Sequence, residues 1–293
     1  IFSAYLIFSF WLMNFTFSSS RQDSVIHIAG RLQSDFSAHL PLIRSFSFGG
    51  NFPAGHPLFG GEPYHFYYGF YALVGILERL GFPLGWAMNI PSIASFFLFL
   101  VFIYLVAARL FRSELVGFFS VVFFLFNSSL SFLEFFKAHP LSTNTFRDVV
   151  GSTDFSSFGP WDGKLVSAFW NLNIYTNQRH LAFAFLAVLI LFYLLLQEKI
   201  KTWQIILVHF VLLVLPFFHL VGFLVCLVVL FMSFFIFGEK RSRVVIFSLI
   251  LPFSFLVYFY FVRSPIGSPV QVNPRYLIEG PLTFFVFVRY WFY

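Results

Sequence analysis

Charge is what this chain has least of. Only 10% of its 293 residues are Asp, Glu, Lys or Arg, against about 25% in ordinary soluble domains, so a water-facing surface of the usual kind cannot be assembled from it. Cysteine is nearly absent: Cys226 stands alone inside an apolar run, which excludes an internal disulfide framework and a Cys-based metal site. Lys and Arg outnumber Asp and Glu by 18 to 12. Even so, no Lys/Arg cluster is interleaved with exposed aromatics, and nucleic acid is excluded as a partner on that ground. Acidic residues are missing from the centres of the long apolar stretches, where an unpaired carboxylate would be costly in lipid.

What fills the chain instead is apolar surface, 59% of residues, with 50 Phe. Crossing the hydrocarbon takes about 20 residues, and apolar stretches fall at Ile1–Phe17, Trp86–Ala108, Leu115–Phe132, Leu181–Gln197, Gln204–His219, Val221–Phe237 and Val244–Val262, with an eighth starting at Pro281. The expected fold is all-α, a polytopic transmembrane helical bundle over residues 1–293. The chain begins without Met and ends at Tyr293, each time inside an apolar run, so it is expected to be truncated at both ends.

Basic residues follow the second, fourth and sixth stretches: Arg109 and Arg112, Lys199 and Lys201, then Lys240, Arg241 and Arg243. Short basic loops mark the cytoplasmic side. The assignment requires Tyr64–Leu80 to stay on one side, as an interfacial helix at headgroup depth with Tyr67 and Tyr68 as belt residues. Two long extracytoplasmic loops then result, 18–80 and 133–180, and every Asp of the chain lies in them. The stretch Gln204–His219 is short, about 24 Å at 1.5 Å per residue, and Pro216 and Gly222 bracket a turn recessed below the surface. His219 is expected at the floor of a pocket there, or as a helix-end imidazole bonded to a neighbouring carbonyl. His209 is expected to pack helices through a hydrogen bond.

Candidate chemistry gathers in the two loops. A helix from Asp23 would place Asp23, His27 and Arg31 on one face, and a carboxylate beside an imidazole can take a proton from an alcohol. The stretch from His56 to Tyr68 is rich in Pro and Gly and offers His56, Glu62 and His65 toward a substrate pocket. Asp23, His27, His56, Glu62 and His65 together supply oxygen and nitrogen donors for a divalent metal, although no recognised ligand spacing occurs. Arg179 and His180 abut the fourth stretch, where they could meet a lipid phosphate at headgroup depth. Lys137 and His139 hold the matching position after the third.

With these residues in view, the chain resembles the GT-C class of polytopic glycosyltransferases, which take sugars from polyprenyl-phosphate donors. The likeness rests on Asp23-Ser24-Val25-Ile26-His27 soon after the first stretch and on a first loop closing in His56-Pro57-Leu58-Phe59 to Tyr68. It rests also on Ala107-Ala108-Arg109-Leu110-Phe111-Arg112 at the end of the second stretch and on a second acidic loop. Ser24 stands where related mannosyltransferases carry a second acid, and His56-Pro57-Leu58 replaces Tyr-Pro-Pro. The resemblance implies Asp23 as catalytic base or acceptor-positioning group and Arg179, His180 and Lys137 as ligands of the donor phosphate. It implies an inner-membrane enzyme whose active face is extracytoplasmic and whose partners are a polyprenyl-phosphate-linked sugar and membrane lipids. A transporter or flippase of lipid-linked saccharides, and a non-catalytic assembly protein, are the competing readings.

The sidedness argument has a direct check. Cysteines introduced at Asp23 and Asp154 should both react with a membrane-impermeant thiol reagent added from the same side, and labelling from opposite sides would contradict the topology.

Overall fold

The structure is a computed structural model that describes residues 1–19, 25–29, 33–52, 54–61, 64, 67–126, 136–137, 139–151, 170–197 and 201–237. It is mostly helical. The chain divides into two compact units, one holding Ile1–Ser120 and the described residues from Tyr175 onward, the other the described residues between Val121 and Ile174.

In the first unit, α1 (Phe2–Thr16) buries Tyr5, Ser9, Leu12, Met13 and Thr16. The opposite face exposes Ile7, Trp11 and Phe15. A helix that is apolar all round has no water-facing side. Its hydroxyls are satisfied internally: Ser9 Oγ donates to Tyr5 O and Thr16 Oγ1 to Leu12 O, the usual way such groups are carried in an apolar helix. α1 runs into β1 (Phe17–Ser19), which pairs antiparallel with β2 (Ile26–Ile28) in the register Phe17↔Ile28, Ser18↔His27 and Ser19↔Ile26.

Two helices follow that lie outside the long apolar stretches. α2 (Gln33–Ser47) and α3 (Gly69–Arg79) pack against each other through Phe36, Leu42, Ile43, Phe46, Phe70, Tyr71 and Val74. Gly75 makes that approach possible, since a Cβ there would stand 2.7 Å from Phe46 Cβ and 2.8 Å from Ile43 O. Arg44 and Glu78 close the pair with an ion pair of 2.9 Å. α3 has 11 residues, about 16 Å, too short to cross a bilayer. Gly81, at φ +99°, turns the chain after it, the left-handed cap that glycine adopts without steric cost.

α4 (Leu84–Phe111) is the one helix among the described residues long and apolar enough to cross a membrane. It packs on α1 and on α8 (His180–Leu195). Gly85 lets the hairpin seat on its first turn, where Gly85 N–H donates to Ser19 Oγ at 2.7 Å. α4 ends at Arg112 in the left-handed region, φ 53°. α5 (Glu114–Leu125) follows, and Gly117 brings it against Tyr104. In the second unit, α6 (Thr145–Gly151) lies in the acidic loop. Asn171, at the start of α7 (Trp170–Asn177), donates to Phe124 O. Between Asn171–Asn177 and His180–Leu195 the chain bends by 111°. α9 (Thr202–Phe218) and α10 (Leu220–Phe237) complete the first unit and pack on α8 through Leu191, Leu212, Leu215, Phe223 and Cys226.

The ends of these helices fall into two sets. Arg109 Nε donates to Leu196 O at 3.2 Å and its guanidinium lies over Tyr193, so the C-termini of α4 and α8 are neighbours. At the other end Asn89 of α4 meets Asn14 and Phe17, and the first residue of α8, His180, meets Tyr71 of α3. The break between α9 and α10 also comes to this end, where Gly69 abuts Phe217 and Phe218. α3 begins and the following α4 starts at the same end, consistent with a segment that does not cross.

Several expectations need correction. The helix expected over Tyr64–Leu80 forms only from Gly69 to Arg79 and leaves Tyr64, Tyr67 and Tyr68 outside it. His27 lies on a strand, so the helical face shared with Asp23 and Arg31 does not exist at His27. The cause is the alternation Val25-Ile26-His27-Ile28, β-branched residues that favour extended backbone. α2 forms inside the expected loop 18–80, where polar and apolar residues mix without a long apolar run. Asp23, Glu62, His65, the stretch Val244–Val262 and the segment from Pro281 lie outside the described residues.

Gly75→Ala should destabilise the full chain by roughly 1–3 kcal/mol, the cost of forcing a methyl into a closed contact. Thermal unfolding in detergent measures it, and Gly50→Ala, at a position with open space around it, serves as the control.

Candidate functional site

Polar side chains from four segments converge where α2, α3, α8 and the α9–α10 break meet. Asp35 and His39 lie four residues apart on α2, hence on one face. Tyr71 of α3 stacks on His39, ring centroids 4.4 Å apart, and its hydroxyl shares hydrogen bonds with His39 Nε2 at 2.8 Å and His180 Nδ1 at 3.2 Å. Tyr67, one turn before Tyr71, covers His180 at 4.5 Å and His219 at 5.1 Å, and the two imidazoles stand 5.4 Å apart. Gln178 Nε2 donates to Asp35 Oδ2 at 2.6 Å.

His219 sits where α9 ends and α10 begins. Its backbone is extended, and its Nδ1 accepts the Gly222 N–H at 2.9 Å. That places it as the N-cap of α10, satisfying an N–H that has no partner within the helix. A ring whose Nδ1 accepts carries its proton on Nε2 when neutral. The sequence posed a pocket-floor His against a helix-end His bonded to a carbonyl. In the structure the ring stands against Tyr67 and His180 and its bond is to an N–H, not a carbonyl. A Cβ at Gly222 would stand 3.1 Å from Ala184 Cβ and 3.3 Å from His219 Nδ1, a tight approach.

Burial sets the protonation of the groups in the loop helices. His39 is pushed down to about 4 by burial, partly offset by Asp35, so it is neutral at pH 7. Tyr71 is held well above the ordinary phenol range by burial, then by Tyr67, Tyr64 and Asp35. Tyr67 is raised by burial and by Asp35. The cluster is a neutral imidazole–phenol chain beside one carboxylate. It can hold, pass or orient protons.

Arg179, between Gln178 and His180, points the other way. Only 1% of it is exposed. Nη1 donates to Asn89 Oδ1 at 2.6 Å, Nη2 to Met13 O and Thr16 Oγ1 at 3.1 Å each, and Nε to Thr176 O at 3.3 Å. The rings of Phe17 and Phe36 flank it, each 5.6 Å from the guanidinium carbon. Among the described residues no carboxylate lies within ion-pair distance of it.

The expected donor-phosphate set therefore does not form as a surface patch. Arg179 is turned inward and its donors are taken by helix backbone and neutral side chains, while His180 is fully buried. Lys137 is exposed and belongs to the second unit. His27 is exposed on the hairpin, and His56 is half-buried with its Nδ1 accepting the Leu58 N–H and its ring against Phe59 and Tyr64. His209 bonds the carbonyl of Ile205 in its own helix, and no partner helix is involved. No group of three His, Cys, Asp or Glu among the described residues is placed to hold a metal ion.

The sequence does not single out Asp35, His39, Tyr71 and Asn89, and it gives Tyr67 only as a belt residue. Two signals exist for the cluster: Asp35-x-x-x-His39 and Tyr67-x-x-x-Tyr71 each repeat a polar group at a spacing of four. Comparison of the chain with protein-family profiles, with curated proteins and with solved structures finds no match.

The His39 environment fixes a pH dependence. Its folded-state value lies below the ordinary 6.5, so the unfolded chain binds the extra proton between about pH 6.5 and 4 and stability is lost as pH falls through that window. The loss attributable to His39 should reach about 3 kcal/mol by pH 4, at 1.36 kcal/mol per pH unit. Unfolding midpoints of the full chain in detergent between pH 7.5 and 4, compared with His39→Gln, should show a shallower acid limb in the variant.

Proposed function

We propose that the protein is a polytopic membrane glycosyltransferase that moves a sugar from a polyprenyl-phosphate donor to an acceptor hydroxyl at the extracytoplasmic face of the cytoplasmic membrane. One observation carries the reading. In a chain with few charged residues, the polar side chains of four separate segments collect at one end of the helices, away from the Arg109 end. α2, α3 and the hairpin add covering structure at that same end, as an interfacial reaction needs when its donor keeps a prenyl chain in lipid and its sugar-phosphate in water.

In this reading the acceptor oxygen attacks the anomeric carbon, the bond from that carbon to the phosphate oxygen breaks, and the phosphate leaves with the electron pair. Asp23 takes the acceptor proton, the role the family resemblance implies for it. A cation beside the departing phosphate stabilises the charge that develops there. The family resemblance implies Lys137 for that task. Arg179 and His180 support the site from beneath: the first ties helices together, and the second belongs to the buried imidazole–phenol chain. His56, Glu62, His65 and His219 remain the proposed pocket residues, with a divalent metal as an optional partner of the oxygen and nitrogen donors.

Membranes carrying the full-length protein, incubated with labelled polyprenyl-phosphate sugars with and without chelator, test the proposal. Transfer by the wild type should fall by two orders of magnitude or more in Asp23→Asn while the variant inserts at normal levels. Wild-type turnover in the variant would remove Asp23 from the mechanism. Movement of intact donor across the bilayer without transfer would replace the enzyme by a flippase.

A further inference from the structure

We propose that His39, Tyr71 and His180 form a proton relay, a continuous hydrogen-bonded chain that takes up a proton at His39 Nδ1 and delivers one from His180 Nε2, or runs in reverse. The geometry carries it. Tyr71 Oη stands within hydrogen-bond distance of one nitrogen of each histidine, His39 Nε2 at 2.8 Å and His180 Nδ1 at 3.2 Å. The remaining nitrogen of each ring, His39 Nδ1 and His180 Nε2, is buried and has no hydrogen-bond partner among the described residues. Buried polar atoms without partners are uncommon in folded proteins, and here one stands at each terminus of the same three-residue chain.

A phenol has one proton and can accept another. Tyr71 must therefore donate to one histidine while the other donates to it, and two neutral arrangements satisfy both bonds. In the first, His39 carries its proton on Nε2 and donates to Tyr71, which donates to His180 Nδ1, and His180 carries its proton on Nε2. A proton arriving at His39 Nδ1 lets the Nε2 proton pass to Tyr71, the Tyr71 proton pass to His180 Nδ1, and the Nε2 proton of His180 leave. The second arrangement results: His39 protonated on Nδ1, Tyr71 donating to His39, and His180 donating from Nδ1. One proton enters and one leaves, so one positive charge crosses the chain while the relay's own charge is unchanged and no electron moves.

The termini face different groups. Asp35 is on the same face of α2 as His39 and its charge acts on His39. His180 looks onto Tyr67 and His219, and Tyr64 adds to the electrostatics at Tyr71. The relay thus links the Asp35 side of α2 to the α9–α10 break, through helices that contribute nothing else acidic to the cluster among the described residues. It is independent of what sugar, or whether any sugar, is transferred.

The test reads tautomers, not turnover, so its failure and the failure of the transferase proposal are distinguishable. Ring-15N-histidine-labelled full chain in lipid bilayers gives separate nitrogen signals for Nδ1–H and Nε2–H forms, assigned by His39→Gln and His180→Gln. The relay predicts that wild-type His39 and His180 each populate both neutral tautomers and that the two populations move together as temperature changes. Asp35→Asn, which keeps an acceptor for Gln178, should shift the His180 ratio at least twofold, and Tyr71→Phe should abolish that response. Single fixed tautomers in the wild type, or a His180 ratio that Asp35→Asn leaves unmoved, would overturn the relay. The wild-type measurement decides even if Tyr71→Phe does not fold.

Discussion

A buried guanidinium without a carboxylate is the constraint on which the described part of this protein turns. Arg179 is surrounded by the Asn89 amide, the Thr16 hydroxyl, two main-chain carbonyls and two Phe rings. Met13 and Thr16 lie in the last turn of α1 and Thr176 in the last turn of α7. Helix C-termini carry unpaired carbonyls and the negative end of the helix dipole, so two of them facing one cation take the place of an acid. Removing a partner from such a charge is expensive, typically several kcal/mol, because the charge stays buried. Asn89 holds the set together. It donates to Asn14 Oδ1 and Phe17 O while accepting from Arg179, so α1, α4, the hairpin and the turn into α8 meet in one network.

The same turn creates the candidate site. Three consecutive residues each bind a different partner: Gln178 reaches Asp35, Arg179 reaches Asn89 and α1, and His180 reaches Tyr71. Successive side chains at this 111° bend point in different directions, so three in a row reach three different parts of the structure. The inward tie and the imidazole–phenol chain are therefore coupled through the backbone. Binding residues set on a rigid support of this kind keep their geometry better than residues on a free loop.

The apolar helices were legible residue by residue. Phe2–Thr16, Leu84–Phe111, His180–Leu195, Thr202–Phe218 and Leu220–Phe237 fall within a few residues of the expected stretches because unbroken hydrophobicity and helix-compatible length leave little choice. Pro216 and Gly222 likewise bracketed the break at His219 correctly. Of the loop helices, α3 was legible within Tyr64–Leu80 and α2 was not. α2 mixes Ser, Asp, His and Arg among its apolar residues and contains Pro41, so no periodicity stands out until α3 is present to cover Phe36, Ile43 and Phe46. Asp23, the residue singled out most strongly, lies outside the described residues, and its partner His27 is extended because its β-branched neighbours prefer a strand.

By itself the sequence determined that most of this chain is apolar helix, where those helices run and which loops hold the acids, since each of these follows from composition and local spacing. Only the tertiary structure decided that Arg179 points inward, that Asn89 is its partner, and that His39, Tyr71, His180 and His219 share one cluster. The physical reason is that these contacts join residues 32 to 166 positions apart. A side chain next to a bend can face either way, and which way it faces is settled by partners that local sequence does not contain.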